Sequence, residues 1–298
     1  MGMIDSLLGD SPRRHYRRRG YYVFRNVFPV EQIDALADTA RNMMPDYPGE
    51  HIRQDGRAEV NDFYPGTQLI RNPPFNLHLP LSSDLRPLSV ALQALITAPA
   101  LADRLRELDG AEHYHINQTL LFFAAQTTGF HIDSWALDTV PHGGAHTLWI
   151  PLRDMDFKSG LPSILPWPMG KLVSEQELGL SSDRSHTDRY ARYHEALSAK
   201  LLKDGPEIAA ALVRRGDLMV WSSLTPHFTL PSQPFPTERL SLQVLLRPAH
   251  VKWGSFTVQP TDYPNTRVLP ASDQFSFFVS EDIHRDFGIG EMAPQPIP

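Results

Sequence analysis

Residues 129–135 read Gly129-Phe130-His131-Ile132-Asp133-Ser134-Trp135. On an extended strand, positions i and i+2 face the same side. His131 and Asp133 therefore project together, one offering an imidazole nitrogen and the other a carboxylate oxygen. A lone His-x-Asp is common on solvated strand faces. It acquires meaning only when the fold brings in a second imidazole, and His227 is the candidate. It stands at the end of Gly216-Asp217-Leu218-Met219-Val220-Trp221-Ser222-Ser223-Leu224-Thr225-Pro226-His227, which reads as a turn, a strand and a histidine just beyond it. Further along, Glu238-Arg239-Leu240-Ser241-Leu242-Gln243-Val244 alternates, with Arg239, Ser241 and Gln243 on one face and Leu240, Leu242 and Val244 on the other. A buried guanidinium without a partner is very costly, so such a face calls for a carboxylate, which arginine can bind through two parallel hydrogen bonds.

The surroundings of these residues set the fold class. From Glu112 onward, short β-rich runs alternate with turn signals at 112–125, 130–138, 146–152, 162–167, 217–221 and 238–248. A helical stretch at about 174–214 interrupts the series. Upstream, 13–19 carries five arginines and reads as a solvated helix face that runs into Gly20 and the strand-like Tyr21-Tyr22-Val23-Phe24. Residues 30–44 space Ile33, Leu36, Ala37, Ala40 and Met44 as a helix, and 84–108 reads as one or two helices broken near Pro99. Between them, 45–83 is a long Pro/Gly/Asn-rich stretch of the sort that is often functional. The expectation is one domain over 1–298, mainly β with flanking helices. It has a helical N-terminal support over about 1–110 and a double-stranded β-helix (jelly-roll, cupin-like) core over about 111–250. That core holds the insertion, and a tail follows over 251–298. A jelly roll protects the edges of many short antiparallel strands by doubling them into two sheets.

Composition narrows the chemistry. The 298 residues are 41% hydrophobic and 21% charged, enough for a sizeable core. The net charge of −6 does not suit a nucleic-acid binder, and no apolar run approaches a membrane span. The expected setting is the cytoplasm, with a small-molecule substrate and neither nucleic acid nor membrane as partner. There is no cysteine, so disulfides, thiolate zinc sites and cysteine nucleophiles are excluded and any transition metal must sit on imidazole and carboxylate. Gly-x-Ser-x-Gly and the phosphate-cradling Gly-x-x-x-x-Gly-Lys are both missing.

Taken together, these residues resemble the phytanoyl-CoA dioxygenase family of iron(II)- and 2-oxoglutarate-dependent oxygenases, which includes ectoine hydroxylases. The family's His-x-Asp falls on His131 and Asp133, its distal histidine on His227 and its oxoglutarate-binding arginine on Arg239. Leu148-Trp149-Ile150-Pro151-Leu152-Arg153-Asp154-Met155-Asp156 resembles a further family strand, and the likeness runs over roughly 15–250. It implies Fe(II) as cofactor and 2-oxoglutarate and O2 as cosubstrates, with Gln118, Trp149, Thr229 and Ser241 lining the oxoglutarate pocket. Two histidines and one carboxylate suit non-haem Fe(II) and leave coordination positions for both cosubstrates. Related halogenases replace the carboxylate with a small residue, so Asp133 favours hydroxylation or desaturation of a small metabolite, with release of succinate and CO2.

The chain departs from the family at Pro166-Trp167-Pro168-Met169-Gly170-Lys171, where relatives read Pro-Gly-Ser-His. Substrate choice is accordingly assigned to 45–83, 166–171 and 174–214, with Trp135, His146, Trp167, Phe228, Arg71 and Gln68 as possible substrate contacts. His113-x-His115 and the pair His142 and His146 could bind metal, but neither has an evident third ligand. The alternative reading is a redox-neutral or non-catalytic cupin-like protein with another metal on the same histidines. Arg239 tells against it, because a simple metal cupin has no use for a keto-acid clamp.

Overall fold

The computed structural model describes residues 10–53, 57–79, 82–126, 128–135, 137–181, 186–232, 234–254 and 266–280. Helix α1 (Pro12–Arg19) starts with Pro12 behind the Ser11 cap and stops at Gly20, which adopts φ 74°. Strand β1 (Tyr21–Phe24) follows, then α2 (Val30–Met43), whose apolar positions Ile33, Leu36, Ala37 and Ala40 are all buried. Among its described residues the 45–83 stretch carries β2 (His51–Ile52), β3 (Ala58–Glu59) and the start of a 3-10 turn at Ser83. Its end lies beside the barrel, where the Asn76 N–H donates to the Thr119 carbonyl and the Leu121 N–H to the Pro74 carbonyl. Helices α3 (Arg86–Ile96) and α4 (Pro99–Asp109) break where proline removes a helical donor. Among the described residues no single helix is long and apolar enough to cross a membrane.

The β region holds β4 (Tyr114–Ala124), β5 (Asp138–Val140), β6 (His146–Pro151) and β7 (Pro162–Ile164), then helix α5 (His186–Leu202). After it come β8 (Ala209–Ala210), β9 (Leu218–Ser222), β10 (His227–Thr229), β11 (Glu238–Pro248), β12 (Lys252–Gly254), β13 (Thr266–Pro270) and β14 (Phe275–Ser280). The large sheet runs β1-β9-β6-β11-β4-β14-β13, and the small sheet opposite it runs β10-β7-β8. The pairings are antiparallel except that of β14 with β4, which is parallel.

Alternation gives the two faces of the large sheet opposite tasks. Leu148 and Ile150 of β6, Leu218 and Val220 of β9, and Leu240, Leu242 and Val244 of β11 join the main core with α2, α3 and α4. Trp149, Met219 and Trp221 point the other way and pack between the sheets with Ile164, Leu161 and Val213. That inner face also carries Arg239 and Ser241, both buried.

Two expectations need correction. The run 130–138 is not one strand. His131 makes an isolated bridge to His227, and Asp133–Trp135 is a short 3-10 turn, closed where the Leu137 N–H donates to the Asp133 carbonyl at 2.9 Å. Nor is 251–298 only a tail. Strand β14 extends the sheet beyond β4, and its Phe275, Phe277 and Val279 are buried, because without them the edge of β4 and the end of the helical core would face water. Replacing Phe277 with Ala should destabilise the fold by about 3–5 kcal/mol, as for other fully buried aromatics. Urea unfolding checks this: an unchanged midpoint would mean that β13 and β14 are not part of the cooperative core.

Candidate metal centre

The backbone assembles the site first. The His131 N–H donates to the His227 carbonyl at 3.0 Å, and the His227 N–H donates back to the His131 carbonyl at 2.9 Å. This single antiparallel bridge sets the imidazoles side by side, with ring centroids 4.1 Å apart. Each ring is then turned by its own backbone. His131 Nδ1 lies 2.8 Å from the Gly129 carbonyl and His227 Nδ1 lies 3.0 Å from the Thr225 carbonyl. A carbonyl only accepts, so Nδ1 carries the proton on both rings and Nε2 presents its lone pair.

Asp133 supplies the third arm. Its Oδ2 accepts from Thr147 Oγ at 2.6 Å and from Trp221 Nε1 at 3.0 Å. Its Oδ1 lies 3.8 Å from His131 Nε2 and 3.7 Å from His227 Nε2. Across the three residues, one ligand atom from each lies within 4.8 Å of the others. Burial alone would raise the Asp133 carboxyl, but the two imidazoles and the Thr147 and Trp221 donors outweigh it and hold it below its usual range. Burial, and then the neighbouring His131, push His227 below its ordinary value and keep it neutral. Two imidazoles and one carboxylate, each fixed by a second hydrogen-bond partner, are a donor set that suits a divalent transition metal. The side chains keep 18%, 10% and 7% exposure for His131, Asp133 and His227, so one side of the site is open.

Arg239 lies on the inner face, 3% exposed. Its Nη1 donates to the Gly160 carbonyl at 2.7 Å, and its guanidinium carbon sits 5.4 Å over the Phe122 ring. Burial pushes it down to about 10, so it remains a cation at neutral pH. Among the described residues no carboxylate pairs with it, and its Nε and the neighbouring Ser241 Oγ are buried without hydrogen bonds. The segment holding it leads to the metal residues, since Ile164 pairs with His227 on β7 and Gly160 precedes that strand. Orphaned donors beside a buried cation are what an absent carboxylate would leave, and the keto acid fits them.

The other expected pocket residues are distributed along this face. Trp149 is buried between the sheets, Gln118 is buried in β4 opposite Leu245, and Thr229 stands two positions after His227. Among the substrate contacts, Phe228 is half-buried, its ring 6.2 Å from Phe130. Others are engaged by protein partners. His146 is buried with both nitrogens engaged, Nδ1 by Tyr16 and Nε2 by Asp109, each at 2.7 Å, so it braces α1 and α4 against β6. Trp135 is buried against Tyr193 of α5 at 5.1 Å. Trp167 donates through Nε1 to the Lys171 carbonyl at 2.5 Å, and the loop's Trp167 and Met169 N–H groups donate to α1 carbonyls. Arg71 is exposed and paired with Asp62, and Gln68 is exposed. Thr147 and Trp221 were missed as partners of Asp133. Strand alternation would have found Thr147, which shares a face with Trp149.

The Phytanoyl-CoA dioxygenase (PhyH) family model matches residues 16–233. No curated protein sequence is a significant match. Among solved structures the chain is similar to EctD from S. alaskensis with bound Fe, with 18% identity over 91% of this chain and 89% of that one and a TM-score of 0.59. It is similar also to the epimerase SnoN in complex with Fe3+, alpha ketoglutarate and nogalamycin RO, with 17% identity, 90% and 96% coverage and a TM-score of 0.56. The non-heme alpha ketoglutarate dependent carbocyclase SnoK from nogalamycin biosynthesis gives 18%, 87%, 89% and 0.54. These likenesses bear out the jelly-roll fold.

Replacing any one of His131, Asp133 and His227 with Ala should abolish tight metal binding. Removing the Thr147 hydroxyl, as in Thr147→Val, should weaken metal binding by about 10-fold or more, the scale of a lost ligand-orienting partner. Titration with Co(II) measures both, and wild-type affinity in His131→Ala or His227→Ala would overturn the assignment. The match over most of the chain, in a jelly roll whose inner face presents two histidines, one aspartate and a buried arginine, places this protein in the phytanoyl-CoA dioxygenase (PhyH) family of 2-oxoglutarate-dependent non-haem iron oxygenases.

Proposed function

We propose that this chain holds Fe(II) on His131, Asp133 and His227, anchors the distal carboxylate of 2-oxoglutarate on Arg239, and hydroxylates or desaturates a small molecule. The observation that carries the reading is the buried Arg239 guanidinium, which has no carboxylate partner among the described residues. An uncompensated buried cation is strongly destabilising, and a fold retains one where an anionic ligand supplies the missing charge. A metal protein without a keto acid would gain nothing from it, which disfavours the redox-neutral alternative.

In this reading the chain's own work is holding and orienting. The Gly129 and Thr225 carbonyls fix the imidazole tautomers, and Thr147 and Trp221 leave one carboxylate oxygen free. Arg239 and Ser241 fix the far end of the cosubstrate, and Trp149 and Trp221 keep the inter-sheet space dry. The iron, when bound with its cosubstrates, supplies oxidative decarboxylation to succinate and CO2 coupled to oxidation of an unactivated C–H bond. The half-buried Phe228 beside the ligand ribbon offers the substrate an apolar contact.

Two measurements test this. Under anaerobic conditions, Fe(II) and 2-oxoglutarate together should give a weak visible charge-transfer band that neither gives alone. Arg239→Gln should weaken 2-oxoglutarate binding by about 2–5 kcal/mol, the scale for losing one partner of a buried charge pair. Its metal affinity should be unchanged, because Arg239 is not a ligand. An unaltered half-saturation concentration for 2-oxoglutarate would sink the clamp.

A further inference from the structure

Helix α5 lies in the stretch assigned to substrate choice, yet its packing leads elsewhere. Its Tyr193 and Leu197 are buried in a cluster with Ile132, Trp135, Val173 and Leu224. Ile132 sits between the two ligands His131 and Asp133, and Leu224 precedes Thr225, whose carbonyl turns His227. The face of α5 that docks is therefore applied to the ribbon that carries the ligands. Tyr193 Oη ties the helix down by donating to the Val173 carbonyl at 2.7 Å.

One turn of this face reaches a ligand directly. The His194 ring stands edge-on to the His131 ring, with centroids 6.3 Å apart and planes at 70°. It is 5% exposed and boxed in by Tyr190 at 4.2 Å, Tyr193 at 5.2 Å and Trp135 at 5.7 Å. Its Nδ1 donates to the Tyr190 carbonyl at 2.9 Å. Its other nitrogen is buried and interacts with the backbone of Ile132, the residue between His131 and Asp133. The ribbon needs such a wall. The bridge and its neighbours, the Thr229 N–H donating to the Thr128 carbonyl and the Ser134 N–H to the Ser223 carbonyl, fix the backbone, and the Gly129 carbonyl holds His131 Nδ1, which leaves the lateral position of the ring to packing.

We infer that α5 is part of the metal centre, with His194 as a positioning residue whose ring packs against His131 and holds it in ligating geometry. The inference rests on the assignment of His131, Asp133 and His227 as the metal ligands. It differs from a role in substrate choice, because it makes metal retention depend on the insertion before any substrate is present.

The test uses the full chain and Co(II) alone. Wild type should bind with a visible d–d spectrum and His131→Ala should not; if wild type fails to bind, the ligand assignment itself is wrong. Given binding, His194→Ala should raise the Co(II) dissociation constant about 10- to 100-fold and alter the d–d bands, the scale seen for partners that orient ligands. His194→Phe, which restores a ring, should return to within about 3-fold of wild type, where mere packing loss elsewhere in α5 would leave the spectrum unmoved. Because coupling is reciprocal, Co(II) should also slow hydrogen exchange of the 190–198 amides in the unmutated protein, with no such change in α4. This arm stands even if His194→Ala does not fold. Wild-type affinity and spectrum in His194→Ala, failure of His194→Phe to improve on Ala, or unchanged α5 exchange on metal binding would each overturn the inference.

Discussion

The pair of backbone hydrogen bonds between His131 and His227 is the constraint on which the centre depends. These residues are 96 positions apart by their numbering, and nothing in either local segment obliges them to meet. Their meeting is arranged from outside the ribbon. Gly20 ends α1 at a positive φ, and a Cβ there would stand 2.3 Å from Thr225 Oγ1 and from the Trp167 carbonyl. The close approach that glycine permits lets Thr225 Oγ donate to the Gly20 carbonyl at 2.8 Å while the Thr225 carbonyl orients His227. A corner of the N-terminal support thus sets the angle of a ligand near the other end of the barrel.

Arg239 illustrates the opposite relation between stability and function. Next to the Ser241 Oγ, itself buried without a hydrogen bond, this cation is desolvated beside one carbonyl and one aromatic ring. Neither replaces a counter-charge. In the proposed reading, binding of a carboxylate would relieve the electrostatic penalty that this buried cation carries. The guanidinium starts so basic that burial brings it down only to about 10, so it stays charged where burial would neutralise a lysine.

Much of this was legible in the sequence, for physical reasons that differ by element. The alternation in 238–248 had one reading, since every second residue is aliphatic, and β11 spans those residues. The break at Pro99 and the helix at 30–43 follow equally from local rules. The His-x-Asp argument reached the right pair by the wrong local structure: a one-residue bridge and a 3-10 turn, not a strand, bring the side chains together. Side chains whose partners are remote could not be placed. His146 looked available for substrate because Tyr16 and Asp109, which consume both its nitrogens, lie 130 and 37 positions away. Trp135, adjacent to the ligand loop, turns instead into the core under α5. The alternation Phe275, Phe277, Val279 was readable, but the neighbour that gives it meaning is β4, from which β5 to β13 separate it in the sequence.

The insertion joins these threads. Jelly-roll strands are fixed along their length by paired neighbours, whereas the 129–135 ribbon has one isolated bridge, two flanking backbone hydrogen bonds and the packing that lies against it. Here that support is the buried face of α5, with Tyr193, His194 and Leu197 against Ile132, Trp135, Leu224 and His131. The positions of α5 that can vary for a new substrate are therefore not those that dock. Tyr190 stands between the two sets: its ring rests on His194, yet it is 41% exposed, and both burial and the Asp133 carboxylate raise its phenol above the usual value. A substitution there changes the cover over the His194 ring, and with it the packing against His131, as well as the exposed surface beside the three clustered residues.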